Sequence, residues 1–208
     1  MTDGDRPAAG AALNDPARGG RTAQPHLPAE EGLWVFLLGD MCIFALLFGT
    51  YIYYRADHLA LYAASQAKLN PAWGAAYTLL LLTGSWFVVQ GVTAVRRALL
   101  RPAAGLFAAA MLCGLGFLGA KLVEYGGKLA VGITPVSNDF FMYYYILTGL
   151  HFVHVLVGVV LLGVLIAHCR GWRRAGQPNR VLVEGGACYW HMVDLLWIVL
   201  FPLLYLFP

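Results

Sequence analysis

The stretch Glu184–Pro208, EGGACYWHMVDLLWIVLFPLLYLFP, is apolar and aromatic almost throughout, yet carries His191 and Asp194 near its start. Its length matches a bilayer crossing, which takes about 20 mostly apolar residues at about 1.5 Å each. A titratable pair inside such a segment is expensive and requires a partner. His191 and Asp194 stand three apart, on one helical face, so the aspartate can hold the imidazole or share a proton with it. Trp197 extends the same face.

Working outward, four further segments read as spans. The five together are about 33–54, 73–95, 103–123, 142–168 and 186–207. Barrel strands would alternate apolar and polar over roughly ten residues, and these segments do not. The expected fold is therefore an all-α, polytopic membrane bundle of five transmembrane helices. Composition agrees: of 208 residues, 60% are hydrophobic and only 12% charged. A soluble domain carries about 25% charge. The net charge of +3 is too small and too dispersed for the concentrated basic face that nucleic-acid binding wants.

Residues 1–30 are rich in Ala, Gly and Pro and read as a disordered cytoplasmic tail ahead of a membrane domain over 31–208. Cys42, Cys113, Cys169 and Cys188 form no C-x-x-C unit and read as packing residues. Tyr51, Tyr53, Tyr54, Trp73, Tyr143, Tyr144, Tyr189, Trp190 and Tyr205 cluster near span ends, as an interfacial aromatic belt would. Glycines in the third and fourth spans suit close helix packing.

Ionisable residues in the spans are the candidate functional groups. Asp40 lies about 10 Å in from the cytoplasmic edge and Asp194 about 12 Å, so with His191 they share a layer. Two readings of Asp40 stand side by side, structural hydrogen bonding and assistance to proton uptake. His151 and His154 repeat the i,i+3 spacing on the fourth span. A haem would need axial histidines on facing helices, and these two share one. They read as structural or lipid-contacting, with a proton relay as the alternative. Glu124 lies beside Tyr125 at the outer edge of the third span, with Lys121 one turn back as an interfacial ion-pair partner. Glu184 precedes the fifth span, where negative charge favours a helix N-terminus.

The chain resembles subunit III of the haem–copper oxidases, and within that family the short, five-helix branch associated with nitric oxide reductase. YWHMVDLLW at 189–197 resembles the family's YWH-x-VD-x-x-W ending, placing His191, Asp194 and Trp197 on its marked positions. GLHFVHVLVG at 149–158 resembles G-x-H-x-x-HV-x-x-G. Asp40 takes the place of a buried acid that is often Glu, and Glu124–Tyr125 form a family-like pair. The first two helices of the seven-helix form have no counterpart. The resemblance implies an accessory subunit in a bacterial inner membrane, binding no metal or haem itself. Haem, with or without copper, is expected in a catalytic partner that reduces oxygen or nitric oxide. Contact with phospholipid is also implied. A stand-alone transporter or channel, and an enzyme with its own cofactor, are the competing readings.

Orientation follows from the basic residues. Arg6, Arg18, Arg21, Arg96, Arg97, Arg101, Arg170, Arg173, Arg174 and Arg180 fall on one side of the expected topology; Arg55, Lys68, Lys121 and Lys128 fall on the other. This places the N-terminus in the cytoplasm and the C-terminus in the periplasm. Labelling of single cysteines at residues 10 and 207 with an impermeant maleimide is expected to modify only the second in intact cells.

Overall fold

A computed structural model describes residues 31–171 and 179–207 of the chain. The expected tail, with the connector arginines Arg173 and Arg174, lies outside the described residues. The described part is helical, and five helices are long and apolar enough to span a membrane. They are α1 (Glu31–Asp57), α3 (Pro71–Arg96), α4 (Leu100–Ala130), α5 (Asp139–Gly171) and α6 (Arg180–Phe201), with a short α2 (Leu59–Gln66) between the first two. A π-helical turn, Pro202–Leu206, continues α6.

Each spanning helix begins before its expected start, and local chemistry explains where. Asn70 caps α3 by accepting the Ala72 N–H at 2.9 Å, with Pro71 in the first turn, where no amide is needed. Asn138 caps α5 through the Phe141 N–H at 2.9 Å, and Asn179 caps α6 through Leu182 at 3.2 Å. The α6 cap puts Glu184 inside the helix rather than ahead of it. Gly185–Gly186 resembles a breaker in the sequence but is carried through the helix.

The third span also runs seven residues beyond its expected end, from Glu124 to Ala130. Glu124, Tyr125 and two glycines suggest a boundary there. The helix continues because Glu124 pairs with Lys121 and Lys128, one turn away on either side. It ends where Gly132 adopts φ +78° and Ile133 N–H bonds back to Lys128 O at 2.9 Å.

Helices α3, α4, α5 and α6 form a ring in which α3 and α5 each touch both α4 and α6. Helix α1 rests on α5 and α6 from outside. Its most apolar window is 17% buried, against 61% for α6. Inside lipid, tails are as apolar as Leu, so association depends on close packing and hydrogen bonds. Trp190 of α6 shows the packing. It is 2% exposed. Its ring lies in a slot floored by glycines of three helices: a Cβ on Gly84, Gly114 or Gly158 would sit 3.2, 2.8 or 3.0 Å from it. A Cβ at Gly114 would collide with the ring, and one at Gly84 or Gly158 would press on it.

The aromatic belt is corrected by this packing. Tyr53, Tyr54 and Trp73 are exposed, but Tyr51, Tyr143, Tyr144, Tyr189, Trp190 and Tyr205 are buried inside the bundle. The phenols of Tyr51, Tyr144, Tyr189 and Tyr205 serve here as interior hydrogen-bonding groups, whereas Trp190 contributes shape alone.

Gly114→Ala is expected to destabilise the detergent-solubilised chain by about 1–3 kcal/mol, because the rigid Trp190 ring and Val159 must both shift. Gly119→Ala, which meets nothing within 4 Å, serves as the matched control and is expected to be neutral or slightly stabilising in the same thermal melt.

Candidate functional site

The interior carries three polar groupings, and each joins helices. The deepest centres on Lys121 of α4, whose side chain is 0% exposed. Its ammonium donates to Glu124 Oε2 at 2.8 Å, Tyr205 Oη at 2.9 Å and Tyr144 Oη at 3.3 Å. Three N–H bonds thus meet three oxygens, which is the full capacity of an ammonium. Glu124 Oε1 accepts from Tyr144 Oη at 2.8 Å and Tyr205 Oη at 3.1 Å, and lies 3.3 Å from Lys128 Nζ. The rings of Tyr77, Tyr125, Tyr144, Trp197 and Tyr205 stand 5.0–5.7 Å from Lys121 Nζ, within cation–π range. Tyr125 Oη meets Thr148 Oγ1 at 2.7 Å, and Thr148 donates to Tyr144 O at 2.6 Å. The ion pair expected at an exposed edge is therefore enclosed, and Lys121 is no loop charge. It fastens α4, α5 and the π-helical turn together.

The second grouping joins α1 to α5. His154 Nε2 lies 3.0 Å from Asp40 Oδ1, and its Nδ1 lies 2.7 Å from Leu150 O. A nitrogen facing a backbone carbonyl must carry the proton, so Nδ1 is the donor there. Tyr189 of α6 donates to His154 O at 3.3 Å. Beside it, Tyr189, Leu33, Leu161, Leu165 and Leu182 help line an apolar pocket of about 260 Å³ between α1, α5 and α6. Asp40 thus binds His154 rather than completing a layer with His191 and Asp194.

The third grouping lies between α3 and α6, which run antiparallel. Arg96 Nη2 meets Glu184 Oε1 at 3.0 Å, Ser85 Oγ meets His191 Nδ1, and Trp197 Nε1 donates to Thr78 Oγ1 at 3.0 Å. The anticipated His191–Asp194 bond does not form. Ser85 takes the imidazole and also neighbours the Asp194 carboxylate, whose Oδ1 is buried without a hydrogen bond. Trp197 packs on His151, Phe117 and Tyr77, not over the His191 pair. His151 and His154 diverge likewise. His151 is fully buried with neither ring nitrogen bonded, its ring 5.2 Å from that of Trp197.

Several contributing residues went unread in the sequence. Lys128 stands one turn beyond the Lys121–Glu124 pair that the sequence did offer, a helical pattern that was available. Ser85, Thr78, Arg96, Tyr144 and Tyr205 reach their partners across more than 20 positions of chain, and no local pattern signals such contacts. No grouping of three or more His, Cys, Asp or Glu side chains suited to a metal occurs among the described residues.

These features define a polytopic bundle in which three embedded polar groupings join helices, while His151 and Asp194 Oδ1 stay buried without hydrogen bonds. Residues 18–208 match the family model for cytochrome c oxidase subunit III. The chain belongs to that family. Over 181 residues it is 32% identical to cytochrome c oxidase subunit 3 of Thermostichus vulcanus, covering 84% of this chain and 85% of that one. It is 29% identical over 177 residues to the same subunit of Bacillus sp. (strain PS3), covering 84% of each chain. It is 26% identical over 176 residues to cytochrome bo(3) ubiquinol oxidase subunit 3 of Pseudomonas aeruginosa, covering 84% and 83%.

Lys121→Met is expected to cost about 3–5 kcal/mol, the usual penalty for stranding one member of a buried ion pair. The double variant Lys121→Met/Glu124→Gln is expected to regain part of that loss. Chemical or thermal unfolding in detergent, followed by circular dichroism, gives both values.

Proposed function

We propose that the chain is a non-catalytic accessory subunit of a respiratory haem–copper reductase, supporting assembly, stability and proton access in a bacterial inner membrane. The match to the family over residues 18–208 carries this reading. Relatives bearing the names of cytochrome c and bo(3) ubiquinol oxidase subunits support an oxygen-reducing partner. A nitric oxide reductase, which the likeness to the short branch implies, is the alternative partner; the oxidase subunits named above are matched over 83–85% of their own length, so chain length does not separate the two. Haem, with or without copper, belongs to the catalytic subunit.

Within that role the chain's own residues divide the work. The Lys121 cluster and the Trp190 slot hold the four-helix ring rigid. Asp40 and His154 hold α1, and together present a carboxylate and an imidazole that can pass a proton between them. Asp40 Oδ2 is without a hydrogen bond, so the carboxylate keeps an acceptor for a further donor. The apolar pocket beside Tyr189 suits a phospholipid acyl chain.

Gentle solubilisation and pull-down of the tagged chain is expected to bring down a haem-bearing catalytic subunit. The chain purified away from it is expected to show no haem absorbance. Isolation as a self-sufficient haem protein, or transport activity by the reconstituted chain alone, would overturn the assignment.

Asp40→Asn is expected to weaken the α1–α5 joint by about 1–3 kcal/mol. Complex yield or proton-coupled turnover should therefore fall further for Asp40→Asn and Asp194→Asn than for Cys113→Ala. Equal yield and turnover in all three would remove any special role for the two acids.

A further inference from the structure

The outer surfaces of the bundle differ in kind. Helix α1 shows an apolar face to its surroundings, with Val35, Leu38 and Leu46 each more than 60% exposed. Lipid tails can cover such a face with nothing left unsatisfied. The α3–α6 seam cannot be covered the same way. His191 is half-buried there, with Nδ1 engaged by Ser85, and its Nε2 is neither sealed inside the bundle nor bonded to any described residue. The ring lies about 16 Å along the helix from Arg180 and about 22 Å from Leu206, near mid-depth. Headgroups do not reach that level. Hydrocarbon offers no hydrogen bond, so a protein side chain that supplies one is favoured at an imidazole nitrogen open to it.

The surrounding surface is an apolar frame on two adjacent helices. Leu82, Ser85 and Val89 form one stripe of α3, and Cys188, His191 and Leu195 form the facing stripe of α6. Leu82, Val89 and Leu195 are exposed, giving an apolar border around one polar point. Resting on the accessory-subunit reading above, we propose that the α3–α6 face at His191 seats a transmembrane helix of the catalytic subunit, which presents a hydroxyl or carboxamide side chain to His191 Nε2. Either group can donate or accept, and so suits either imidazole tautomer. The seam's bonds to Arg96, Ser85 and Thr78 keep the seat rigid before the partner arrives.

The test uses the full complex, with a benzophenone amino acid placed singly at Val89, Leu195 or, on α1, Leu46. Crosslinks to the catalytic subunit from Val89 and Leu195, but not from Leu46, are expected. A complex recovered intact with crosslinks only from Leu46, or with only lipid adducts or a second copy of this chain at Val89 and Leu195, would overturn the seat and leave the accessory role standing. Failure of the unmodified chain to recover any catalytic subunit would remove both. His191→Phe is expected to lower recovery roughly three- to fifteenfold, the worth of one interhelical hydrogen bond in a membrane, with His191→Gln restoring most of it. Because His191→Phe also loses Ser85, Leu195→Trp provides a second variant outside the bundle. It is expected to lower recovery while leaving the free chain's melting unchanged.

Discussion

The fold depends on housing the Lys121 ammonium away from water. A cation at that position cannot be left alone, and its three N–H bonds are met by Glu124, Tyr144 and Tyr205. Those oxygens come from three parts of the chain, so satisfying one charge fixes the mutual placement of α4, α5 and the turn that ends α6. Glu124 then accepts from both phenols and pairs with Lys128, which extends α4 beyond its apolar stretch. Such a cluster is costly to build and more costly to break, because losing any partner leaves charge in a medium that cannot solvate it. What it secures here is registry among three segments.

Packing around Trp190 does for shape what Lys121 does for charge. Three glycines from three helices admit one indole, and any side chain at those positions would meet it. Together these two features make α6 the axis of the bundle. Helix α1 lies outside this arrangement, joined through Asp40 and His154, through Tyr51, which donates to Leu203 O at 3.3 Å, and through the Tyr51 ring on Phe140 and Tyr143. The bundle thus has a rigid ring and a peripheral helix whose polar joint lies beside an apolar pocket. That division suits the accessory role proposed above: the ring gives a fixed surface, and the joint sets a carboxylate against an imidazole.

The three bonds between α3 and α6 show how one seam serves inside and outside at once. Arg96–Glu184 closes its end, Trp197–Thr78 lies deep, and Ser85–His191 lies between, with one ring nitrogen turned outward.

Much of the fold was legible in the chain. Apolar runs of bilayer length determined five helices, because backbone N–H and C=O groups in hydrocarbon must be satisfied within their own segment. Asn70 with Pro71 is a local capping signal that fixes the start of α3 two residues ahead of the expected one. The residues of the candidate site were also legible as types, since Asp40, Glu124, His151, His154, His191 and Asp194 are costly at membrane depth and stand out from their neighbours. Their partners were not. Spacing along one helix suggested that His191 would hold Asp194, whereas Ser85, over a hundred positions earlier, takes the imidazole. It suggested a common layer for Asp40 and His191, whereas Asp40 meets His154. It put Tyr144, Tyr205 and Trp190 at a membrane boundary, whereas they fill the interior. Periodicity fixes which face of a helix a residue occupies, but the choice among facing helices is made by the packing of the whole ring. Only the tertiary structure could decide which oxygen each buried charge would find.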